Sequence, residues 1–187
     1  FLYMNYRNNP TGAVATAQFY KDTVAFAEEH QVGIVSDFAY GAIGFDGNQP
    51  LSFLQTAGAK SVGIETYTFS KTFNMAGWRV GFAVGNADMI AALNLIQDHL
   101  FVSIFPAIQD AAIAALAQRK QRTDAVGQLQ AVYESRRNAF INAVRSFNWE
   151  PYVPKGAFYV LMPVPKGYTS AQFAELLLNR ANVAVAD

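Results

Sequence analysis

The feature that most constrains this chain is a lysine placed beside two apolar segments. Residues 62–69 and 80–84 are rich in apolar and aromatic side chains and predict buried strands. Lys71 follows the first segment, among hydroxyl-bearing and small residues. Burial of a lysine costs free energy unless its charge is paired or neutralised. Lys71 is therefore either a side chain that reaches solvent at a strand end or a nucleophilic amine.

The first part of the chain alternates strand-like and helix-like patterns. Apolar runs over residues 1–6 and 32–36 predict two more strands. The segment from about Ala17 to His30 lies between them and predicts a helix with Thr16 as its N-cap. A strand–helix–strand order predicts an α/β fold with a mostly parallel sheet.

Three polar residues lie just past the predicted carboxyl ends of these strands. They are Asn9, Asp37 and Lys71. In an open α/β sheet, ligands bind along the edge where the carboxyl ends of the strands meet. We therefore expect these residues to share one rim of the sheet, which favours the nucleophilic interpretation of Lys71.

The side chains on this rim suit an aldehyde cofactor with a ring nitrogen and a phosphate, which is pyridoxal 5′-phosphate. Lys71 is expected to form the Schiff base with the cofactor. Asp37 is expected to pair with the protonated ring nitrogen, although an Asp in this position could also be a turn cap. Tyr40 and Asn9 are expected to hydrogen-bond the phenolic oxygen of the ring.

The phosphate of such a cofactor needs hydroxyl and cationic donors. Thr68 and Ser70 supply hydroxyls directly before the lysine, and Arg79 supplies a two-pronged guanidinium. The alternative for Arg79 is an ion pair with a carboxylate of the core. Its spacing from Lys71 favours the phosphate role.

Composition argues against several other kinds of protein. The 14 basic residues balance the 14 acidic residues without a basic block, so we expect neither nucleic acid nor an anionic membrane as a partner. The chain has no cysteine, which excludes disulfides, thiolate metal sites and a cysteine nucleophile, and it fits a cytoplasmic protein. No apolar run is long enough for a bilayer, and we expect no metal site.

The pattern changes after about residue 123. The predicted elements there are a long polar helix (123–147), a hairpin (149–153 with 157–162), a helix ending near Arg180, and a strand that begins at Val183. Because the polar helix is long for a globular protein, it is a candidate bridge between two domains.

Three motifs together resemble the fold-type I aminotransferases of class I and II. They are Asn9-Pro10-Thr11-Gly12, Asp37-Phe38-Ala39-Tyr40, and Thr68-Phe69-Ser70-Lys71 with Arg79, and the resemblance covers the whole chain. It implies that Lys71, Asp37 and Tyr40 are catalytic, and that residues 1–133 form the C-terminal part of a large pyridoxal-phosphate domain. Residues 134–187 would then form part of a small α+β domain.

The resemblance also implies a reaction and an assembly. The expected reaction moves an amino group between an amino acid and a 2-oxo acid in a homodimer. The segments 37–47, 73–84 and 154–170 are most similar to the branch with methionine-salvage transaminases and LL-diaminopimelate aminotransferases. The segment 37–47 is closer to methionine salvage, where 4-methylthio-2-oxobutyrate is aminated. The alternatives are a C–S β-lyase on the same fold and a non-catalytic, aminotransferase-like regulatory domain.

Two features depart from the family pattern. Arg7 stands where relatives more often have proline. The arginine that binds the substrate α-carboxylate and the first half of the large domain have no counterpart in these 187 residues. We therefore expect the chain to be a fragment of a longer enzyme and to be inactive by itself.

Overall fold

A computed structural model describes the backbone of residues 1–117 and 119–187. It describes the side chains of residues 1–117 and 124–187. Its centre is a four-stranded sheet in the order β1-β2-β3-β4. The strands are β1 (Leu2–Asn5), β2 (Ile34–Asp37), β3 (Gly63–Thr68) and β4 (Gly81–Gly85). The predicted α/β class is confirmed, and the four predicted strands of the sheet agree with the observed ones to within two residues.

The sheet is mixed, because its last strand runs against the other three. β1, β2 and β3 are parallel, whereas β3 and β4 are antiparallel. Parallel neighbours need a crossover of about a dozen residues or more that returns the chain to the starting edge, usually through a helix. Between Phe69 and Val80 there are only two single helical turns, so β4 starts at the edge where β3 ends.

The described residues form seven α-helices. They are α1 (Ala17–His30), α2 (Ala59–Val62), α3 (Phe69–Thr72), α4 (Ala87–Leu100), α5 (Pro106–Ala117), α6 (Arg119–Arg145) and α7 (Ser170–Ala181). None of the helices described is long and apolar enough to cross a membrane. The predicted division between residues 133 and 134 falls inside α6 and stays a prediction.

The main core lies between α1 and the sheet. The hydroxyl of Thr16 accepts the backbone N–H of Phe19, so α1 begins where the sequence predicts. Tyr20, Val24 and Ala27 repeat along one face of the helix and are buried against the strands and the short helical turn that begins at Phe53. Burial of each large apolar side chain contributes about 1.5–3 kcal/mol, and this packing holds the first two strands in register.

A buried carboxylate joins β2, β3 and the loop before α2. Glu65 is fully buried and accepts hydrogen bonds from Ser36 Oγ (3.1 Å), Ser52 Oγ (2.6 Å) and Phe53 N (2.8 Å). The hydroxyl of Tyr67 also donates to it. Burial, together with this hydrogen bond, raises the pKa of Tyr67 to about 12. These donors compensate the buried charge without a cationic partner among the described residues.

The C-terminal segment, residues 149–162, differs from the predicted hairpin. Only one antiparallel bridge, between Tyr152 and Leu161, joins its two arms. The residues at the turn instead bond to the loop after β2, where Ala157 N donates to Ile43 O at 3.0 Å. Because those backbone groups form hydrogen bonds with another loop, they cannot form the hydrogen bonds between the two arms of a hairpin. The strand predicted from Val183 is also wrong, because no strand occurs in 183–187.

Candidate active site

The carboxyl ends of the first three strands and the start of β4 meet at one edge. Asn5 is paired with Asp37 in the sheet, and Thr68 is paired with Gly81. The loop after β1 returns over this edge, because Asn9 N donates to Asn5 Oδ1 at 2.8 Å. Asn5 Nδ2 in turn donates to Asp37 O at 3.3 Å. The predicted rim is therefore present in the structure.

The loop that carries Asn9 is closed against the C-terminal segment. Asn8 Oδ1 accepts both the backbone N–H (3.2 Å) and the hydroxyl (2.8 Å) of Thr11. Gly12 has a φ of +67°, and a β-carbon there would lie 2.3 Å from Pro154 Cβ. A side chain at this position would thus be strained and would push the two segments apart.

Asp37 ends β2 and offers a carboxylate at the edge. One oxygen accepts the backbone N–H of Ala39 at 3.1 Å, as in a turn cap. The side chain is exposed, and among the described residues no lysine, arginine or histidine nitrogen lies within 4.0 Å of it. The carboxylate can therefore both shape the turn and accept a cationic group.

Tyr40 stands between the lysine and the C-terminal segment. Lys71 Nζ lies 5.7 Å from the centre of the Tyr40 ring and 5.3 Å from that of Phe158. The Tyr40 hydroxyl lies 2.9 Å from the Tyr159 hydroxyl. Burial raises the pKa of Tyr40, the hydrogen bond with Tyr159 adds to this, and the Asn9 side chain lowers it. Asn9, Tyr40 and Lys71 are thus brought together.

The predicted phosphate ligands lie where β3 meets β4. Thr68 is the N-cap of α3, and its hydroxyl accepts Ser70 N at 3.1 Å. Phe69 N donates to Val80 O at 3.2 Å, which holds the residue after Arg79 beside the start of α3. All three predicted ligands therefore lie on the same edge as Lys71.

Arg79 itself adopts an uncommon backbone conformation. Its φ of 52° and ψ of 47° lie in the left-handed region, which costs a non-glycine residue about 1–2 kcal/mol. The side chain is exposed and donates to Ala76 O at 3.1 Å. Within the described part of the chain, this is the only hydrogen bond of the guanidinium, and its acceptor is not a carboxylate. The other N–H groups can therefore bind an anion.

Two aromatic residues at the site were not singled out from the sequence. The sequence pattern predicts Phe158 and Tyr159 within a hairpin, but both contact Tyr40, with ring centres 5.3 and 5.7 Å away. Their only signal in the sequence is an aromatic pair after Lys155-Gly156, which is also typical of packing. The contact with Tyr40 spans 119 positions and becomes visible only in the folded chain.

An ion pair holds the loop after Tyr40 to α6. Arg137 donates to both carboxylate oxygens of Asp46, at 2.6 and 2.7 Å, and to Pro154 O at 2.9 Å. The Arg137 guanidinium holds the pKa of Asp46 below its usual range. These contacts of Arg137 join three parts of the chain that surround Tyr40 and Tyr159. They are helix α6, the C-terminal segment, and the loop after β2.

Arg7, the departure from the family pattern, lies beneath the same loops. It is buried and donates to Gly41 O and, at 2.7 Å, to Asn48 O. Burial lowers the pKa of Arg7. The guanidinium thus binds the backbone of the loop that carries Tyr40, and Asn9 keeps its place at the rim.

Comparison with known proteins points to one family. The family model described as "Aminotransferase class I and II" matches residues 1–187. The chain is 61% identical over 185 residues to the L-glutamine--4-(methylsulfanyl)-2-oxobutanoate aminotransferase of Bacillus subtilis, covering 99% of this chain and 46% of that protein. It is 47% identical to an LL-diaminopimelate aminotransferase of Dehalococcoides mccartyi, covering 98% and 47%.

A solved structure agrees with this comparison. The substrate-bound structure of BacF from Bacillus subtilis matches with a TM-score of 0.92 at 47% identity, covering 98% of this chain and 46% of that one. The chain therefore spans about half the length of the relatives that it matches.

Proposed function

The chain belongs to the class I and II aminotransferases, and from this premise we propose that the full-length protein moves an amino group between an amino acid and a 2-oxo acid. The observation that carries this proposal is the position of the Lys71 amine, 5.7 Å from the Tyr40 ring on the rim that holds Asp37. Among the residues described, neither Lys71 nor Asp37 has an ion-pair partner. Both charges are thus available to a ligand.

The residues present fit pyridoxal 5′-phosphate. When bound, this group supplies an aldehyde that condenses with amines and a cationic ring that withdraws electrons from the substrate carbon. The carboxylate of Asp37 suits the protonated ring nitrogen. Thr68, Ser70 and Arg79 would hold the phosphate, since a hydroxyl that accepts a backbone N–H, as that of Thr68 does, can still donate its own proton.

Each site residue then has a chemical task. Lys71 Nζ would hold the cofactor covalently and, once displaced by the amino donor, would take the proton from the substrate α-carbon. Asp37 would stabilise positive charge on the ring throughout. The Tyr40 hydroxyl and the Asn9 amide would donate to the ring oxygen, and the aromatic wall of Tyr40 and Phe158 would limit water around the amine.

The substrate proposal follows the relatives. We infer that glutamine is the amino donor and 4-(methylsulfanyl)-2-oxobutanoate the acceptor, because the relative with these substrates in its name is 61% identical. LL-Diaminopimelate is the second candidate, because a relative named for it is 47% identical. The relatives named here are transaminases, which favours amino transfer over β-elimination and over a non-catalytic regulator.

The organisation of the full-length protein belongs to the same hypothesis. We propose a cytoplasmic homodimer in which residues 1–133 belong to the large domain and 134–187 to the small one. The family resemblance supports the dimer and the domains, and the absence of cysteine fits the compartment.

An assay of the full-length protein tests the proposed function. With pyridoxal 5′-phosphate, glutamine and 4-(methylsulfanyl)-2-oxobutanoate, we expect methionine as the product, measured by chromatography. A matched reaction with LL-diaminopimelate and 2-oxoglutarate tests the second candidate. Absence of amino transfer with both pairs, in a protein that is folded and loaded with cofactor, would contradict the proposed function.

Replacement of Arg79 tests the phosphate site. In the full-length protein we expect Arg79→Ala to weaken cofactor retention by about tenfold or more, because hydrogen bonds to a charged group contribute about 1.5–3 kcal/mol. Cofactor retention in Arg79→Lys should lie between that of Arg79→Ala and that of the wild type, because lysine keeps the charge but lacks the two-pronged guanidinium. Cofactor content after dialysis is the measurement. Arg180→Ala, an exposed arginine of α7, is the control. Equal retention in Arg79→Ala would exclude the phosphate role.

A further inference from the structure

The hydroxyls of Tyr40 and Tyr159 lie 2.9 Å apart, and no role follows for Tyr159 from the motifs in the sequence. We propose that Tyr159 is a positioning residue that donates its proton to Tyr40, so that Tyr40 donates its own proton to the bound ligand. The ligand is the ring oxygen of the cofactor, so this inference rests on the proposed function. Tyr159 thereby couples the C-terminal segment to the site.

The numbers of protons and lone pairs on the two phenols determine which hydroxyl donates in this relay, the hydrogen bonds from Tyr159 to Tyr40 and from Tyr40 to the ligand. A phenol has one proton to donate and two lone pairs that accept. Without a ligand, either hydroxyl can be the donor in the 2.9 Å contact. When an acceptor binds beside Tyr40, its single proton goes to that acceptor. The contact with Tyr159 then survives only if Tyr159 is the donor, and otherwise two oxygens face each other without a hydrogen.

With Tyr159 as the donor, one acceptor site of the Tyr40 oxygen is filled by a residue of the C-terminal segment. The proton of Tyr40 is then not used in this contact, so its O–H bond can be directed toward the ligand.

The backbone holds Tyr159 in place for this task. Phe45 N donates to Lys155 O at 3.1 Å, and Ala157 N donates to Ile43 O at 3.0 Å. The ring of Phe158, the neighbour of Tyr159, is stacked on Tyr133 of α6 at 5.2 Å. The loop that carries Tyr40 and the segment that carries Tyr159 are therefore bonded to each other by two backbone hydrogen bonds.

Among the side chains that the structure describes, three titratable groups face the Tyr40 hydroxyl or its ring. They are Asp37 from β2, Lys71 from α3 and Tyr159 from the C-terminal segment. A hydrogen bond donated to the ring oxygen stabilises negative charge there, so its loss favours the protonated form of the bound cofactor. The pH midpoint of the visible absorbance should then rise. Tyr159→Phe should weaken that bond only indirectly, and Tyr40→Phe should remove it.

The first experiment is a pH titration of the absorbance of the full-length holoenzyme. We expect Tyr159→Phe to raise the midpoint by about half a pH unit and Tyr40→Phe to raise it by more. In the double variant, the Tyr159 change should add nothing, because it acts through Tyr40. Tyr152→Phe, an exposed tyrosine of the same segment, is the control. An unshifted midpoint in Tyr159→Phe, or shifts that simply add, would overturn the relay.

The second experiment does not use the cofactor. In the full-length apoprotein labelled with ¹³Cζ-tyrosine, the Tyr40 signal is assigned from Tyr40→Phe. Its chemical shift should change in Tyr159→Phe and stay constant in Tyr152→Phe. An unchanged Tyr40 signal in Tyr159→Phe would exclude the hydroxyl contact. If the wild type shows no cofactor band while this signal does change, the proposed function fails and the contact between the two tyrosines stands.

Discussion

Lys71→Ala is expected to abolish amino transfer by the full-length protein and to remove the visible absorption band of the bound cofactor. Under the proposed function, the Lys71 side chain would supply both the nitrogen of the covalent link and the base that moves the substrate proton. General base catalysis alone contributes about 10²–10⁴-fold to a rate. The loss should therefore be at least that large, measured as methionine formed per enzyme and as the absorbance spectrum of the reconstituted protein.

Lys60→Ala is the matched control for this variant. Lys60 is an exposed lysine of α2, away from the rim. It should retain the spectrum and the rate of the wild type. If Lys71→Ala kept the same band and the same rate, the covalent link would have to form elsewhere, and the assignment of Lys71 as the nucleophile would be wrong.

Asp37→Ala is expected to slow removal of the substrate α-proton by about 10²–10³-fold, the usual effect of losing one electrostatic partner of a reacting group. Asp37 would hold the ring nitrogen of the cofactor in its cationic form, so without the carboxylate the ring should withdraw electrons less well. The measurement is exchange of the α-proton of glutamine with deuterated water, followed by NMR. Cofactor retention should also fall.

Two further variants separate charge from shape at this position. Asp37→Asn keeps an oxygen that can accept the backbone N–H of Ala39, but it lacks the charge. It should therefore keep the turn and lose proton exchange. Asp98→Ala, which removes an exposed carboxylate of α4, should match the wild type. Full exchange activity in Asp37→Ala would exclude a role for Asp37 at the ring nitrogen.

Local patterns in the sequence were sufficient for the elements that form the rim. The N-cap at Thr16 and the apolar face of residues 17–30 predict α1, and the apolar runs predict the four strands of the sheet. These signals extend over a few residues, because helix and strand periodicity and capping are short-range effects. The order of the motifs around Asn9, Asp37 and Lys71 was likewise enough to identify the family.

Other features depended on parts of the chain that are distant in sequence. The sequence did not show that β4 runs antiparallel to β3, or that the turn near Gly156 bonds to the loop after β2 rather than to its own hairpin. A strand pattern does not specify which neighbour accepts its hydrogen bonds. That choice depends on competing partners, and only the packed chain decides between them.

By itself, the sequence determined the family, the helix and strands that build the rim, and a lysine with hydroxyls and an arginine around it. Only the tertiary structure decided what surrounds the Lys71 amine, namely the rings of Tyr40 and Phe158, and which hydroxyl meets that of Tyr40. The physical reason is that the residue types required by the chemistry are encoded locally. The 2.9 Å contact between Tyr40 and Tyr159 instead needs two loops, 119 positions apart, to be bonded to each other by their backbones.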